Sequence, residues 1–392
     1  MDIADFFEPI DLQEFHFAEK ANSELRLGNI IRIYSDINDF PDFTQAELAI
    51  VGVGDDRNAI HNEGCGMAPD AIRKHLYDLF PGPHALKIAD LGNIKKGFTV
   101  ADTYFALASV VAELINNNVL PVIVGGSQDL TFANYQAYQS LGQIINIVAI
   151  DPMFDLGKSE EDLNSQSYLS SIILHQPNYL FNYANIGFQT YFVDQDALKL
   201  MNNLFFDTYR VGIVRQNLEE VEPIVRNADL LSFDVSSVRY SDAPGNGNAT
   251  PNGFYGEEAC QIVRYAGLSD KLSSIGFYEM NPRLDKGGQT AHLVAQMIWY
   301  FIDGFYNRVH DFPFRNEDDY LKYRVAITEH KEEIVFFKSK KTDRWWMEIP
   351  LPAEQRIKYE RHYMVPCSYK DYQTACENDI PDRWWMVYQK LM

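Results

Sequence analysis

Cysteine is scarce. The 392 residues hold four, Cys65, Cys260, Cys367 and Cys376, and no two of them form a CxxC pair. In a chain of this length that excludes a disulfide framework or a zinc ribbon and fits reduced thiols in the cytoplasm. Long apolar runs are also missing. None approaches the ~18 residues that suggest a membrane span. The opening MDIADFFEPIDLQEFHF carries acids where a secretory signal needs a basic region and an unbroken apolar stretch. Positive charge is in short supply: 34 Lys plus Arg stand against 55 Asp plus Glu, a formal net charge of −21. No Lys/Arg run gathers the basic residues, so nucleic acid and anionic membranes are excluded as partners. There is no GxSxG elbow, P-loop, or GxGxxG in a βαβ setting.

What remains is an ordinary globular composition, 46% hydrophobic and 23% charged. At roughly 150 residues per domain the length suggests two domains, or one large domain with an appendage. The charge divides unevenly: 15 acidic and 14 basic residues lie from Asp311 onward, against 40 and 20 before it. That shift predicts a boundary near residue 310.

Before that boundary, short apolar runs alternate with helical text. ELAIVGVG, ALKIADLG, LPVIVGG, INIVAID, NYANIGF, TYRVGIV, ADLLSFDV and SSIGFYEM read as strands. APDAIRKHLYDLF, VADTYFALASVVAELINNN, TFANYQAYQSL, GEEACQIVRYAGL and GQTAHLVAQMIWYFIDGFY read as helices. The alternation predicts a three-layer α/β/α domain over residues 46–310, with a mainly parallel sheet of about eight strands. Residues 1–45 form a polar, irregular N-terminal extension and 311–392 a C-terminal extension with strand-like YRVAI and EIVFFKSK. One pentapeptide, DRWWM, occurs at 343–347 and again at 382–386. Two copies are too few for a solenoid. Trp345, Trp346, Trp384 and Trp385 are expected to pack the extension onto the main domain, the alternative being an aromatic surface for a protein partner.

In a parallel sheet, ligands bind beyond the carboxyl ends of the strands. Four such ends are rich in polar residues: VGGSQDL (Val124–Leu130), AIDPMFDLG (Ala149–Gly157), LSFDVSSV (Leu231–Val238) and GFYEMNPRLD (Gly276–Asp285). Asp151, Asp155 and Asp234 each follow a buried run. Three carboxylates sharing a low-dielectric rim repel one another unless a metal ion or basic side chain offsets them.

These four segments, in this order, resemble the arginase, agmatinase and formimidoylglutamase (ureohydrolase) superfamily, whose patterns are GGDHS, DAHxD, SFDVDxxDP and ExNPxxD. NEGCGMAPDAIR (Asn62–Arg73), IADLGN (Ile88–Asn93) and DAPGNG (Asp242–Gly247) resemble further family stretches, so the likeness spans roughly residues 45–305. It implies an arginase-like fold and a dinuclear manganese centre, built from four aspartates and two histidines, that generates the hydroxide attacking a guanidinium or formimino carbon.

Matched position by position, half of that ligand set is gone. Ser127 stands where the family has Asp, Gln128 and Met153 replace the two histidines, and Ser236 replaces an aspartate. Arg239 falls where a further aspartate would be, and His61, His84, His175 and His292 lie outside the motifs. Asp151, Asp155 and Asp234 match. The resemblance therefore implies at most one site, Gln128, Asp151, Asp155 and Asp234, that a single Mn²⁺ or Mg²⁺ could occupy. The position at Asp151, Met153, Asp234 and Ser236 is lost, because a thioether is too soft and a hydroxyl brings no charge. Glu279 matches the glutamate that pairs with a guanidinium-like substrate end; its bland alternative is a loop cap. The expectation is a non-catalytic, structural or partner-binding protein, possible as a homo-oligomer. The alternative is a one-metal hydrolase of linear amidine or guanidino C–N bonds such as that of formiminoglutamate. Where no metal sits among the aspartates, Arg239 is the candidate cation beside them.

Overall fold

The β-branched runs pair edge to edge into one sheet. Its strands are β1 (Phe7–Glu8), β2 (Arg32–Ile33), β3 (Leu48–Val53), β4 (Ile88–Ile94), β5 (Leu120–Val124), β6 (Ile145–Ile150), β7 (Leu180–Phe188), β8 (Asp207–Arg210), β9 (Leu230–Asp234) and β10 (Ser274–Tyr278). The computed structural model describes residues 2–15, 22–157, 162–312, 317–327 and 333–391. Strand order is β1-β4-β3-β5-β10-β9-β6-β7-β8, with β2 also on β4. The eight strands from β4 to β8 run parallel, and only β1 is antiparallel to its neighbour.

Both faces are covered, which is why these strands read as continuous apolar text. In β3, Leu48 and Ile50 pack on one side and Ala49, Val51 and Val53 on the other. The first side is covered by helices Ala68–Leu76, Val221–Arg226, Gly256–Gly267 and Gln289–Tyr306, and the second by Val100–Asn116, Leu130–Ser140 and Tyr168–Leu174. The expected α/β/α layering and parallel core are therefore present. Two motif residues turn out to be structural. Arg73 is fully buried and grips both carboxylate oxygens of Asp90, Nε–Oδ2 at 2.9 Å and Nη2–Oδ1 at 2.8 Å.

Two sequence expectations need correction. The polar first 45 residues are not merely appended, since β1 and β2 extend the sheet along β4. TYRVGIV is a strand only to Arg210, after which Val211–Gln216 is helical.

The C-terminal extension forms a second, antiparallel sheet in the order β11 (Tyr320–Ala326), β12 (Glu333–Ser339), β13 (Trp345–Glu348), β14 (Met364–Cys367), followed by helices Tyr369–Cys376 and Asp382–Leu391. It docks on the amino ends of the main strands. Arg361 reaches Asp229, just ahead of β9, and His362 Nε2 sits 3.1 Å from the Ile144 carbonyl ahead of β6. Arg226 donates to the carbonyls of Trp345 and Cys367, and Lys390 to Asn182 in β7. Trp345, Trp346 and Trp384 are buried, as expected, but Trp385 is 41% exposed. Neighbouring residues on a helix point about 100° apart, so two successive tryptophans cannot both face one core.

Candidate functional site

The carboxyl ends of β5, β6, β9 and β10 lie side by side and bring the four polar segments together. At the end of β5 the chain must turn sharply into the helix Leu130–Ser140. Gly125 and Gly126 do this at φ +90° and +73°, where a Cβ would stand 2.5 Å from Pro69 and 2.4 Å from Leu130. The turn places the Gln128 N–H 2.8 Å from Glu279 Oε1. Gln128 Nε2 lies 3.3 Å from both Tyr168 Oη and Ser232 Oγ, and the Gln128 side chain also bonds to Asp151.

Asp151, Asp155, Asp234 and Glu279 are all buried and act electrostatically on one another. Among the described residues no lysine, arginine or histidine is ion-paired to any of them. Burial drives all four carboxyls above their usual range. Asp155 is raised well above it by burial and then by the charges of Asp151, Asp234 and Glu279. Asp234 is likewise raised, by burial and then Asp151 and Glu279. Glu279 is pushed up to about 7 by burial, against hydrogen bonds from Asn62 and the Gln128 N–H that lower it. The Asp155 carboxyl donates to Asp151, which moderates the rise that burial imposes there.

The backbone is strained at the same place. Asp155 and Glu279 sit at φ +48° and +69°, the left-handed region that side chains disfavour. Glu279 is locked there because its carbonyl accepts from Asn62 Nδ2 at 2.9 Å and Asn246 Nδ2 at 2.6 Å. Its carboxylate accepts from Asn62 at 2.7 Å as well. It thus ties three loops together rather than capping its own.

Asp234 is bound by its own loop, its Oδ1 accepting the Ser236 N–H at 2.7 Å and its Oδ2 the Ser236 hydroxyl at 2.5 Å. Asp151 Oδ1 accepts the Met153 N–H at 2.7 Å. Among the described residues, Asp151 Oδ2 and Asp155 Oδ2 are buried and short of donors, the two carboxyls sharing one proton beside the Gln128 amide. Arg239 is not the counter-charge the sequence suggested. Its Nε pairs with Asp242 at 2.9 Å and its guanidinium stacks on Tyr255. The residue sits on the turn after β9, where its own loop supplies a nearer acid.

Residues 46–303 match the sequence pattern of the Arginase family. The chain belongs to the arginase family. A formimidoylglutamase from Staphylococcus aureus (strain MRSA252) is 25% identical over 270 residues, covering 66% of this chain and 86% of that protein. Among solved structures, the formiminoglutamase of Trypanosoma cruzi with Mn²⁺ superposes with a TM-score of 0.63 at 19% identity, over 72% of this chain and 99% of that one. The formimidoylglutamase of Bacillus subtilis gives 0.66 at 17% identity, over 74% and 94%. The arginase-family fold thus ends before the antiparallel sheet of the extension begins.

The donor set of this arginase-family chain does not fit a pair of manganese ions. Met153 offers sulfur where imidazole is needed, and Ser236 offers an uncharged hydroxyl that is itself bonded to Asp234. Among the described residues no group of three or more His, Cys, Asp or Glu side chains is set to hold a metal ion. The oxygens of Asp151, Asp155 and Gln128 are by chemistry acceptable to one hard cation.

Sequence reasoning missed Asn62, which anchors Glu279, and Asp129, which replaces a lost acid. Asp129 accepts from the Ser127 and Tyr104 hydroxyls, and burial pushes it up to about 6 against those bonds. The signal for Asp129 was present, since GGSQD carries the family's Asp and Ser in exchanged positions.

Proposed function

We propose that this arginase-family protein does not hydrolyse guanidino or formimino substrates through a two-metal centre, and that its retained framework serves a structural or partner-binding role. The observation that supports this is the closure of Asp234 by the backbone and hydroxyl of Ser236. Those bonds turn Asp234 toward Ser236, and neither Ser236 nor Met153 brings the carboxylate or imidazole that a second ion needs. The acids then act as a proton-sharing buried cluster that pins the loops after β6, β9 and β10. A partner would meet the exposed faces of the extension, where Tyr369 and Ile357 lie.

Steady-state assays with arginine, agmatine and formiminoglutamate in excess Mn²⁺ test this reading, and no turnover above background is expected. Turnover abolished by Asp234→Ala overturns it. Restoring Gln128→His, Met153→His and Ser236→Asp together rebuilds the donor set, and should raise Mn²⁺ affinity by more than ~10-fold, about 1.4 kcal/mol, in calorimetric titrations. Activity need not return, because Ser127 and Arg239 would still differ around the restored ligands.

A second reading is favoured by Asp151 Oδ2 and Asp155 Oδ2, which are buried and short of hydrogen-bond donors. With Gln128 they would hold a single Mn²⁺ or Mg²⁺, which supplies Lewis-acid polarisation when bound. Glu279 would face the cationic end of a formiminoglutamate-like substrate. One tightly held ion per purified chain, with function lost on chelation, supports this reading over the first.

A further inference from the structure

At the other end of the sheet, a cavity of about 480 Å³ opens where the amino ends of β5 and β10 meet the C-terminal extension. Lys271, Arg308 and Arg361 line it, with Asn116, Gln143 and Ser273. The cations come from three places: the start of β10, the segment after the long helix Gln289–Tyr306, and the extension. Their convergence is notable in a chain of net charge −21.

The available carboxylates do not balance them. Glu47 and Asp270 also line the cavity, but Glu47 lies 3.5 Å from Lys87, while Asp270 pairs with His310 at 3.1 Å and accepts the Asp311 N–H at 3.0 Å. Asp229 serves both Arg361, whose Nε lies 3.1 Å from it, and Lys271, whose Nζ lies 3.6 Å from it and donates to Asn227 Oδ1 at 2.9 Å. Arg308 has no ion pair among the described residues. It donates only to carbonyls, Nε to Gly267 at 2.8 Å and Nη2 to Leu272 at 3.3 Å, leaving Nη1 without a bond. Arg361 likewise has no Nη1 bond among the described residues. Burial weakens the hold of Arg308 on its proton, down to about 10, and the charge of Asp270 offsets only part of that fall.

We propose that this cavity binds a small organic anion through a carboxylate or phosphate group, held by Arg308, Arg361 and Lys271. Guanidinium forks match the planar or tetrahedral oxygens of such a group, and the volume falls in the range of small-ligand pockets. The extension would then complete a second site by contributing Arg361. This inference does not depend on how the acid cluster at the opposite end is read. The competing explanation is that Arg308 only satisfies the carbonyl end of the helix Gly256–Gly267.

The test is calorimetric titration of the full chain with inorganic phosphate and, separately, with citrate at constant ionic strength. At least one should saturate with a Kd below about 1 mM. Saturation by one alone tells the phosphate source from the carboxylate source. Arg308→Gln keeps a donor for the carbonyls and Arg361→Lys keeps a cation for Asp229, and each should weaken binding by ~10-fold or more. Lys338→Gln, on the far strand β12, should leave it unchanged. Circular dichroism melts establish that each variant folds. A tungstate soak offers an independent readout, with an anomalous peak expected between Arg308 and Arg361. No saturable heat with either anion up to about 10 mM, or undiminished affinity in both folded variants, overturns the proposal. A lowered melting midpoint for Arg308→Gln with unchanged anion affinity establishes the helix-end role instead.

Discussion

Ser127 and Asp129 show how a site can be rewritten while its groups are kept. The family order of acid and hydroxyl is reversed, yet the two side chains still bond to each other, with Tyr104 as a third partner. At Asp155 the same conservatism carries a pH cost. Its carboxyl is held well above the ordinary value by burial and neighbouring charge, so the native state keeps a proton that the unfolded chain releases. The stability this confers is whole below the unfolded value of about 3.8 and is lost as pH rises through the folded value. Chelator-treated protein should therefore lose thermal stability as the pH climbs. Asp155→Asn, with an amide to donate to Asp151 and no proton to lose, should show a flatter profile in calorimetric scans from pH 5 to 9. An unchanged slope would place the proton elsewhere. The three aspartates were legible in the sequence because each follows a buried apolar run. Asn62 and Asn246 were not, because their work is to fix the carbonyl of a residue more than thirty positions away.

The two DRWWM copies make the parallel case for elements. In one, the tryptophans open β13; in the other, the same five residues begin the helix Asp382–Leu391. Five residues do not choose between periods of 2 and 3.6; the surrounding contacts do. β13 lies between two strands with both faces covered, so both of its tryptophans are buried. Trp346→Ala should cost about 3–5 kcal/mol, the more so because Arg226 stacks on its ring at 4.3 Å. Trp385→Ala, 41% exposed on its helix and stacked on Tyr388, should cost less, about 1–2 kcal/mol. Chemical denaturation of the two variants measures both, and equal losses would contradict the asymmetry. The parallel strands were readable for the same reason that β1 and β2 were not. A run buried on both faces leaves an apolar signature, whereas two-residue edge strands take their structure from β4 alone.

Across the whole molecule, chemistry and support occupy opposite ends of the sheet. The acid cluster sits at the carboxyl ends, while the extension grips the amino ends through Arg361 on Asp229 and Lys390 beside Asp207. A chain truncated after residue 310 leaves Asp229, fully buried, with Lys271 as its remaining ion pair, and uncovers the apolar floor beneath β14. Such a truncation should be insoluble or melt far below the full chain. A stable, proteolysis-resistant core lacking the extension would refute the view that it is integral to the fold.

The position of those counter-charges has a temporal side. Translation delivers Arg361 and Lys390 only after every strand they serve has left the ribosome. Until then the nascent sheet carries buried acids with too few partners and an uncovered floor, so completion of the domain waits on the extension. Chains stalled or clipped before that moment would expose unfinished surface to chaperones and proteases, which makes arrival of the extension a checkpoint for the whole molecule.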